Sequence, residues 1–165
     1  DPWGLALAAR KVTVSTAGHI EGIKALRLSS INMSLAISLH TANPIKRSQL
    51  MPINRKNPLD KLIEEVKRYS ETTHKKVFIQ YTLIHKVNDT IEDAKNLVEI
   101  LKGINVKINL IPWNPIPNSQ FKGPDNHNIK LFQSFLLSNG VRATVRYSKG
   151  WDIDAACGQL VQQKT

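Results

Sequence analysis

Short apolar runs alternate along this chain with stretches of helical periodicity, and that alternation constrains the fold more than any other feature. Five segments read as strands: Val12 to Thr16, Leu35 to Leu39, Val77 to Leu83, Lys107 to Ile111 and Arg142 to Tyr147. Several are nearly continuous apolar runs, the pattern of strands buried on both faces. Between them Leu59, Leu62, Ile63, Val66 and Tyr69 recur at helical spacing after Asn57-Pro58. Ile91, Ala94, Leu97, Val98 and Leu101 do the same, opening on the capping box Thr90-x-x-Asp93 and stopping at Gly103. Ile129, Phe132, Phe135 and Leu136 mark a third helix, ended by Asn139-Gly140. A shorter helix is predicted over Ile20 to Leu28. Strand and helix in turn make a parallel α/β fold.

The chain has 165 residues, 41% of them hydrophobic, which suits one globular domain with a real core. Its 23 Lys and Arg against 13 Asp and Glu leave a net charge of +10. Such an excess points to a polyanionic partner, nucleic acid first. The cations are spread and form no dense block, so a basic solvated surface is the competing explanation. No stretch approaches the roughly 18 apolar residues of a membrane span. One cysteine suits a reducing compartment, and a cytoplasmic location is expected. The chain opens at Asp1 rather than Met, which reads as a fragment or a processed piece.

In parallel α/β folds, ligands bind at the carboxyl ends of the strands. Ser15-Thr16 closes the first strand here and Ala17-Gly18 follows; Ser38 and His40 close the second. His85, Asn88 and Asp89 follow the third, Trp113 and Asn114 the fourth, and Arg146 and Lys149 the fifth. Hydroxyls, an imidazole and a carboxamide suit a small polar ligand such as a nucleoside or an amino-acid moiety. Each group taken singly is better explained by a turn or a helix cap. Four strand ends together carry more polarity than turns need. The long loop from Pro112 to Asp125, rich in Pro and Asn, follows a strand directly and is expected to line something.

The only cysteine lies in Asp152-Ile153-Asp154-Ala155-Ala156-Cys157-Gly158-Gln159-Leu160. A lone thiol forms no internal disulfide, so Cys157 is either inert filler or a nucleophile. Asp154 as a helix cap would place the thiol in a first turn and lower its pKa. A cysteine hydrolase with His40 as base is one alternative. A metal site at His40 is another, though no histidine pair has helical spacing and no cysteine cluster exists.

Several of these stretches also carry a resemblance. Val12-Thr13-Val14-Ser15-Thr16-Ala17-Gly18, Ala36-Ile37-Ser38-Leu39-His40, Met51-Pro52-Ile53-Asn54 and Val87-Asn88-Asp89 follow in order. Ile108-Asn109-Leu110-Ile111-Pro112-Trp113-Asn114-Pro115 and Asp152 to Leu160 complete the series. Together they resemble the C-terminal half of the radical-SAM adenine methyltransferases of the RlmN/Cfr type. The resemblance implies a single domain over 1–165, the C-terminal portion of a radical-SAM partial (β/α) barrel with mainly parallel strands. It implies that Cys157 carries a methyl group to carbon 2 of an adenine in 23S ribosomal RNA, with transfer RNA as a second candidate substrate. Ser15, Ser38, Leu39, His40 and Asn114 match positions that hold S-adenosylmethionine. Carbon 2 of adenine is not nucleophilic, so the family's chemistry runs through S-adenosylmethionine and a reduced 4Fe-4S cluster.

The same resemblance locates what this sequence does not contain. The Cys-x-x-x-Cys-x-x-Cys cluster ligands, a second catalytic cysteine and a Gly-Glu-Pro segment belong to the other half, upstream of Asp1. No metal ligand is therefore assigned within the chain, and alone it is expected to be inactive, with exposed sheet edge. An electron donor and a monomeric full-length enzyme are the further expectations. Local departures fall at Thr41-Ala42-Asn43-Pro44, at Gln80 and at His85. A non-catalytic RNA-binding relic of the same fold is the alternative from another class.

Overall fold

The computed structural model describes residues 8–114 and 119–147. Five strands form one sheet: β1 (Thr13–Thr16), β2 (Ser34–Ser38), β3 (Val77–Leu83), β4 (Val106–Pro112) and β5 (Ala143–Val145). Every neighbouring pair is parallel and the strand order equals the chain order. Helices α1 (Ile20–Leu28), α3 (Leu59–Thr73), α4 (Ile91–Ile100) and α5 (Asn126–Ser138) supply the crossovers. A short helix α2 (Pro44–Leu50) and a 3-10 turn (Pro52–Arg55) precede α3.

Right-handed crossovers between strands that never reverse order put every helix on one face of the sheet. The core confirms that arrangement. Leu35, Ile37, Ile79 and Tyr81 from the strands pack with Leu62, Val66, Leu97 and Phe132 from the helices. The Tyr81 and Phe132 rings lie 5.3 Å apart. The other face carries no helix among the described residues. A sheet built this way is a segment of barrel wall rather than a doubly wound sandwich.

The strands were expected to be buried on both faces, and this holds only at the centre, at Ala36 and Asn109. Along β3, Val77, Ile79, Tyr81 and Leu83 are buried while Phe78, Gln80 and Thr82 are half-buried. Register collects the alternating residues into a row across the open face: Ser38 pairs with Gln80, Gln80 with Asn109 and Asn109 with Thr144.

The helix starts follow their chemistry. Thr90 and Asp93 form the reciprocal capping box at α4, and Asp93 also pairs with Lys46 of α2 at 2.7 Å. Glu65, buried in α3, pairs with Arg27 of α1 at 2.7 Å. Asn43 caps α2 by accepting from the N–H groups of Ile45 and Lys46, with Pro44 in the first helical position. Strand limits differ from the periodicity reading by one or two residues, while α3 continues past Tyr69 to Thr73 and α5 opens at Asn126, ahead of Ile129. The exception of substance is α2, which that reading missed. β5 is also shorter than expected, because Arg146 and Tyr147 lie beyond its last residue.

Candidate functional site at the strand ends

Parallel strands bring all five carboxyl ends to one edge, and the connections there are polar. Ser15 is exposed on β1, in register with Ala36. Ser38 is half-buried at the end of β2, in register with Gln80. Leu39 is fully buried on the helix-covered face, so only its backbone reaches this edge. Its N–H donates to the Gln80 carbonyl at 3.0 Å. Asn114 is half-buried two residues past β4. The preceding Trp113 is tied to the end of β3 by its N–H donating to the Leu83 carbonyl at 2.9 Å. Cys157, and with it the whole stretch from Asp152 to Leu160, lies outside the described residues. So does Pro115.

Arg47 joins the first two strand ends. It is fully buried in α2, and no carboxylate among the described residues pairs with it. Its guanidinium is satisfied by oxygens instead. Nη2 donates to the carbonyls of Ala17 at 2.8 Å and Ser38 at 3.3 Å. Nε donates to the Leu39 carbonyl at 3.3 Å, and Nη1 to Asn54 Oδ1 at 2.8 Å. One planar cation thus clamps the chain just after Thr16 and just after Ile37, a task suited to a rigid fork of donors. Gly18 makes room for it. A Cβ there would lie 2.9 Å from Arg47 Nη2 and 2.9 Å from Leu62 Cδ2, and Gly18 has φ of +111°. Burial lowers the pKa of Arg47 from its ordinary value.

His40 stands at the other side of this clamp, with a left-handed φ of 61°. Its Nδ1 accepts the N–H of Thr82 at 3.0 Å, and its carbonyl accepts Asn88 Nδ2 at 2.6 Å. Asn88 is fully buried and also donates to the Thr82 carbonyl at 2.7 Å. Burial, and then the Arg47 charge, push the His40 pKa down to about 4. The imidazole is therefore neutral at pH 7.

Past β4 the loop folds back on Trp113. Phe121 meets its ring edge-on at 5.5 Å, and a Cβ on Gly123 would lie 2.6 Å from the Trp113 carbonyl oxygen. The Lys122 carbonyl accepts the His85 N–H at 2.8 Å, so the described part of this loop beyond residue 118 packs against the ends of β3 and β4. Two buried polar atoms lack partners among the described residues: Asn109 Oδ1, in the open-face row, and Trp113 Nε1. No group of three or more His, Cys, Asp or Glu there could hold a metal. No described helix is long and apolar enough to cross a membrane.

Sequence reasoning placed Ser15, Ser38, His40 and Asn114 on one edge, and the structure puts them there. It missed Arg47, which reads as one more scattered cation beside Lys46. Asn88 was noted at a strand end, but its part in holding His40 was not. Gly18, just past Ala17 at the end of β1, was the one local hint that something close-packed follows that strand.

Known proteins are similar to this chain in sequence and fold. The chain is 42% identical over 164 residues to the dual-specificity RNA methyltransferase RlmN of Nautilia profundicola, covering 99% of this chain and 46% of that protein. It is 46% identical over 165 residues to the protein of the same name from Pseudomonas fluorescens, covering 99% and 43%. The crystal structure of a radical SAM methyltransferase from Sphaerobacter thermophilus matches with a TM-score of 0.92 and 42% identity, over 94% of this chain and 46% of that one. No family model matches the chain. The fold is that of the radical SAM methyltransferases, a partial barrel. Within that class the chain belongs to the RlmN family, and it spans about half the length of the curated relatives it matches.

Proposed function

We propose that this chain supplies the S-adenosylmethionine edge and the methyl-carrying cysteine of an enzyme that methylates carbon 2 of adenine in 23S ribosomal RNA and in transfer RNA. The observation that carries the reading is the polar strand-end edge clamped by Arg47, on a chain 42% identical to a dual-specificity RNA methyltransferase. Hydroxyls at Ser15 and Ser38, the neutral His40 and the Asn114 carboxamide fit the nucleoside and amino-acid groups of S-adenosylmethionine. When bound, that cofactor supplies the one-carbon unit. Cys157 is the carrier, with a thiol that must be deprotonated to accept carbon. A 4Fe-4S cluster takes thiolate ligands, and one cysteine does not provide them, so the cluster is not held by these residues. An electron donor, a cytoplasmic location and a monomeric enzyme accompany this reading.

The net charge of +10 suits an RNA substrate, whose phosphates make affinity salt-dependent. Carbon 2 of a stacked adenine is hidden, so the base must be unpaired or extruded. The test is deletion of the gene encoding these residues, followed by mass spectrometry of nucleosides from 23S ribosomal RNA and transfer RNA. Loss of 2-methyladenosine from both, restored by the wild-type gene and not by Cys157→Ala, is the expected result. Loss of 8-methyladenosine would move the chemistry to the other carbon. RNA binding with no change in either nucleoside would leave a non-catalytic relic.

A further inference from the structure

The ring of His40 is held in one protonation pattern by the backbone around it. An imidazole nitrogen that accepts an N–H carries no proton of its own. Nδ1 accepts the Thr82 N–H, so the single proton of the neutral ring sits on Nε2. Nε2 has no hydrogen-bond partner among the described residues. The pattern is fixed by one carboxamide. Asn88 Nδ2 donates to the carbonyls of both His40 and Thr82, while its Oδ1 accepts the Ile84 N–H at 2.7 Å. The Asn88 carbonyl in turn accepts the Tyr81 hydroxyl at 2.8 Å. Residues 40 and 82, the two ends of the imidazole contact, thus hang from a single buried side chain.

We infer that His40 is a fixed neutral hydrogen-bond donor through Nε2–H, with Thr82 and Asn88 as its positioning residues, and that the ligand group it meets is an acceptor such as a carboxylate, a hydroxyl or a ring nitrogen. This assignment rests on the strand-end edge being the S-adenosylmethionine site. It removes His40 as a general base. The only unprotonated nitrogen of the ring is turned to Thr82, away from any incoming proton, and a pKa near 4 makes the ring a weak base besides. The cysteine-hydrolase alternative, which needs His40 to deprotonate Cys157, loses its base.

Two-bond proton–nitrogen correlation spectra of the full 165-residue chain, labelled with nitrogen-15 at histidine, read the pattern directly. The expected His40 signature at pH 7 is a protonated Nε2 beside an imine-type Nδ1, assigned by its absence in His40→Asn. A protonated Nδ1, a doubly protonated ring or an averaged pair overturns the assignment. His40→Asn then separates structure from ligand contact. Asparagine tolerates left-handed backbone, and its Oδ1 stands where Nδ1 stood. The Thr82 amide should keep its slow hydrogen exchange in His40→Asn and exchange about tenfold faster in His40→Ala. Equal acceleration in both variants counts against the arrangement. In the whole enzyme that contains these residues, S-adenosylmethionine affinity should fall about tenfold in His40→Asn, and unchanged affinity refutes the ligand contact. Failure of S-adenosylmethionine to bind that wild-type enzyme would overturn the proposed site, while the spectra still decide the proton's place.

Discussion

Arg47 Nη2 reaches across from α2 to the Ala17 carbonyl at 2.8 Å, so a cation in one connection closes the end of a strand that precedes it by thirty residues. The same guanidinium serves β2 and Asn54, and no carboxylate offsets it. Four oxygens therefore depend on one buried charge.

Arg47→Met keeps the volume of the stem and removes every donor. It leaves the Ala17 carbonyl and Asn54 Oδ1 without their partner, and the expected loss is about 3 kcal/mol of folding stability. Arg47→Lys keeps the charge, but its point-like ammonium does not span the fork, so much of the loss remains. Urea unfolding midpoints of the three proteins decide. Equal midpoints for Met and wild type would refute the clamp.

Gly18→Ala should cost roughly 2 kcal/mol, through positive φ and through the approach to Arg47 and Leu62. In an Arg47→Ala background part of that cost disappears, because one of the two crowding atoms is gone. A double-mutant cycle measures the coupling. Strict additivity would show that Arg47 is not what Gly18 accommodates.

Asn88→Asp is isosteric but turns two donated hydrogen bonds into contacts between oxygens. About 3 kcal/mol of destabilisation is expected at pH 7. The carboxyl introduced there is favoured in its neutral form, so its folded pKa lies above the unfolded value. The deficit relative to wild type should shrink as pH falls and the group takes up its proton. A deficit that is flat or grows on acidification contradicts the geometry.

His40 is itself a source of pH dependence. Its folded pKa is about 4 against an ordinary 6.5, so between these values the unfolded chain binds a proton that the folded chain does not. Stability from this group therefore rises with pH from 4 to 6.5 and is flat above. His40→Asn should remove that slope and leave the carboxylate contributions in place. Thermal midpoints at pH 5 and pH 7 for both proteins provide the check, and identical slopes would exclude a His40 held neutral by its surroundings.

Much of the fold was legible because periodicity is local. The β3 run and the α3 stripe from Leu59 to Tyr69 announce themselves within a single window of sequence. Helix α2 did not, since its few apolar side chains form no stripe; its signal was the cap, Asn43 before Pro44. The row of Ser38, Gln80, Asn109 and Thr144 was invisible for a different reason. Each member comes from a different strand, and only register aligns them.

The candidate site was legible to the extent that strand ends are. Ser15, Ser38, His40 and Asn114 follow apolar runs directly, so topology alone gathers them. Arg47 had no such marker. A buried guanidinium is identified by the carbonyls around it, and those belong to residues 17, 38 and 39, distant in sequence or turned away from it in any local pattern. Leu39, by contrast, matched a ligand-binding run, yet its side chain is core.

Strand order that equals chain order has a consequence for engineering. Among the described residues the sheet runs from β1 at one side to β5 at the other, with no strand out of chain order. A polypeptide cut at any crossover would leave two pieces whose strands are each contiguous, able to rejoin through a single row of backbone hydrogen bonds. Fragment complementation and circular shuffling of whole strand–helix units are therefore topologically open to this architecture, in a way that they are not to sheets whose strands interleave.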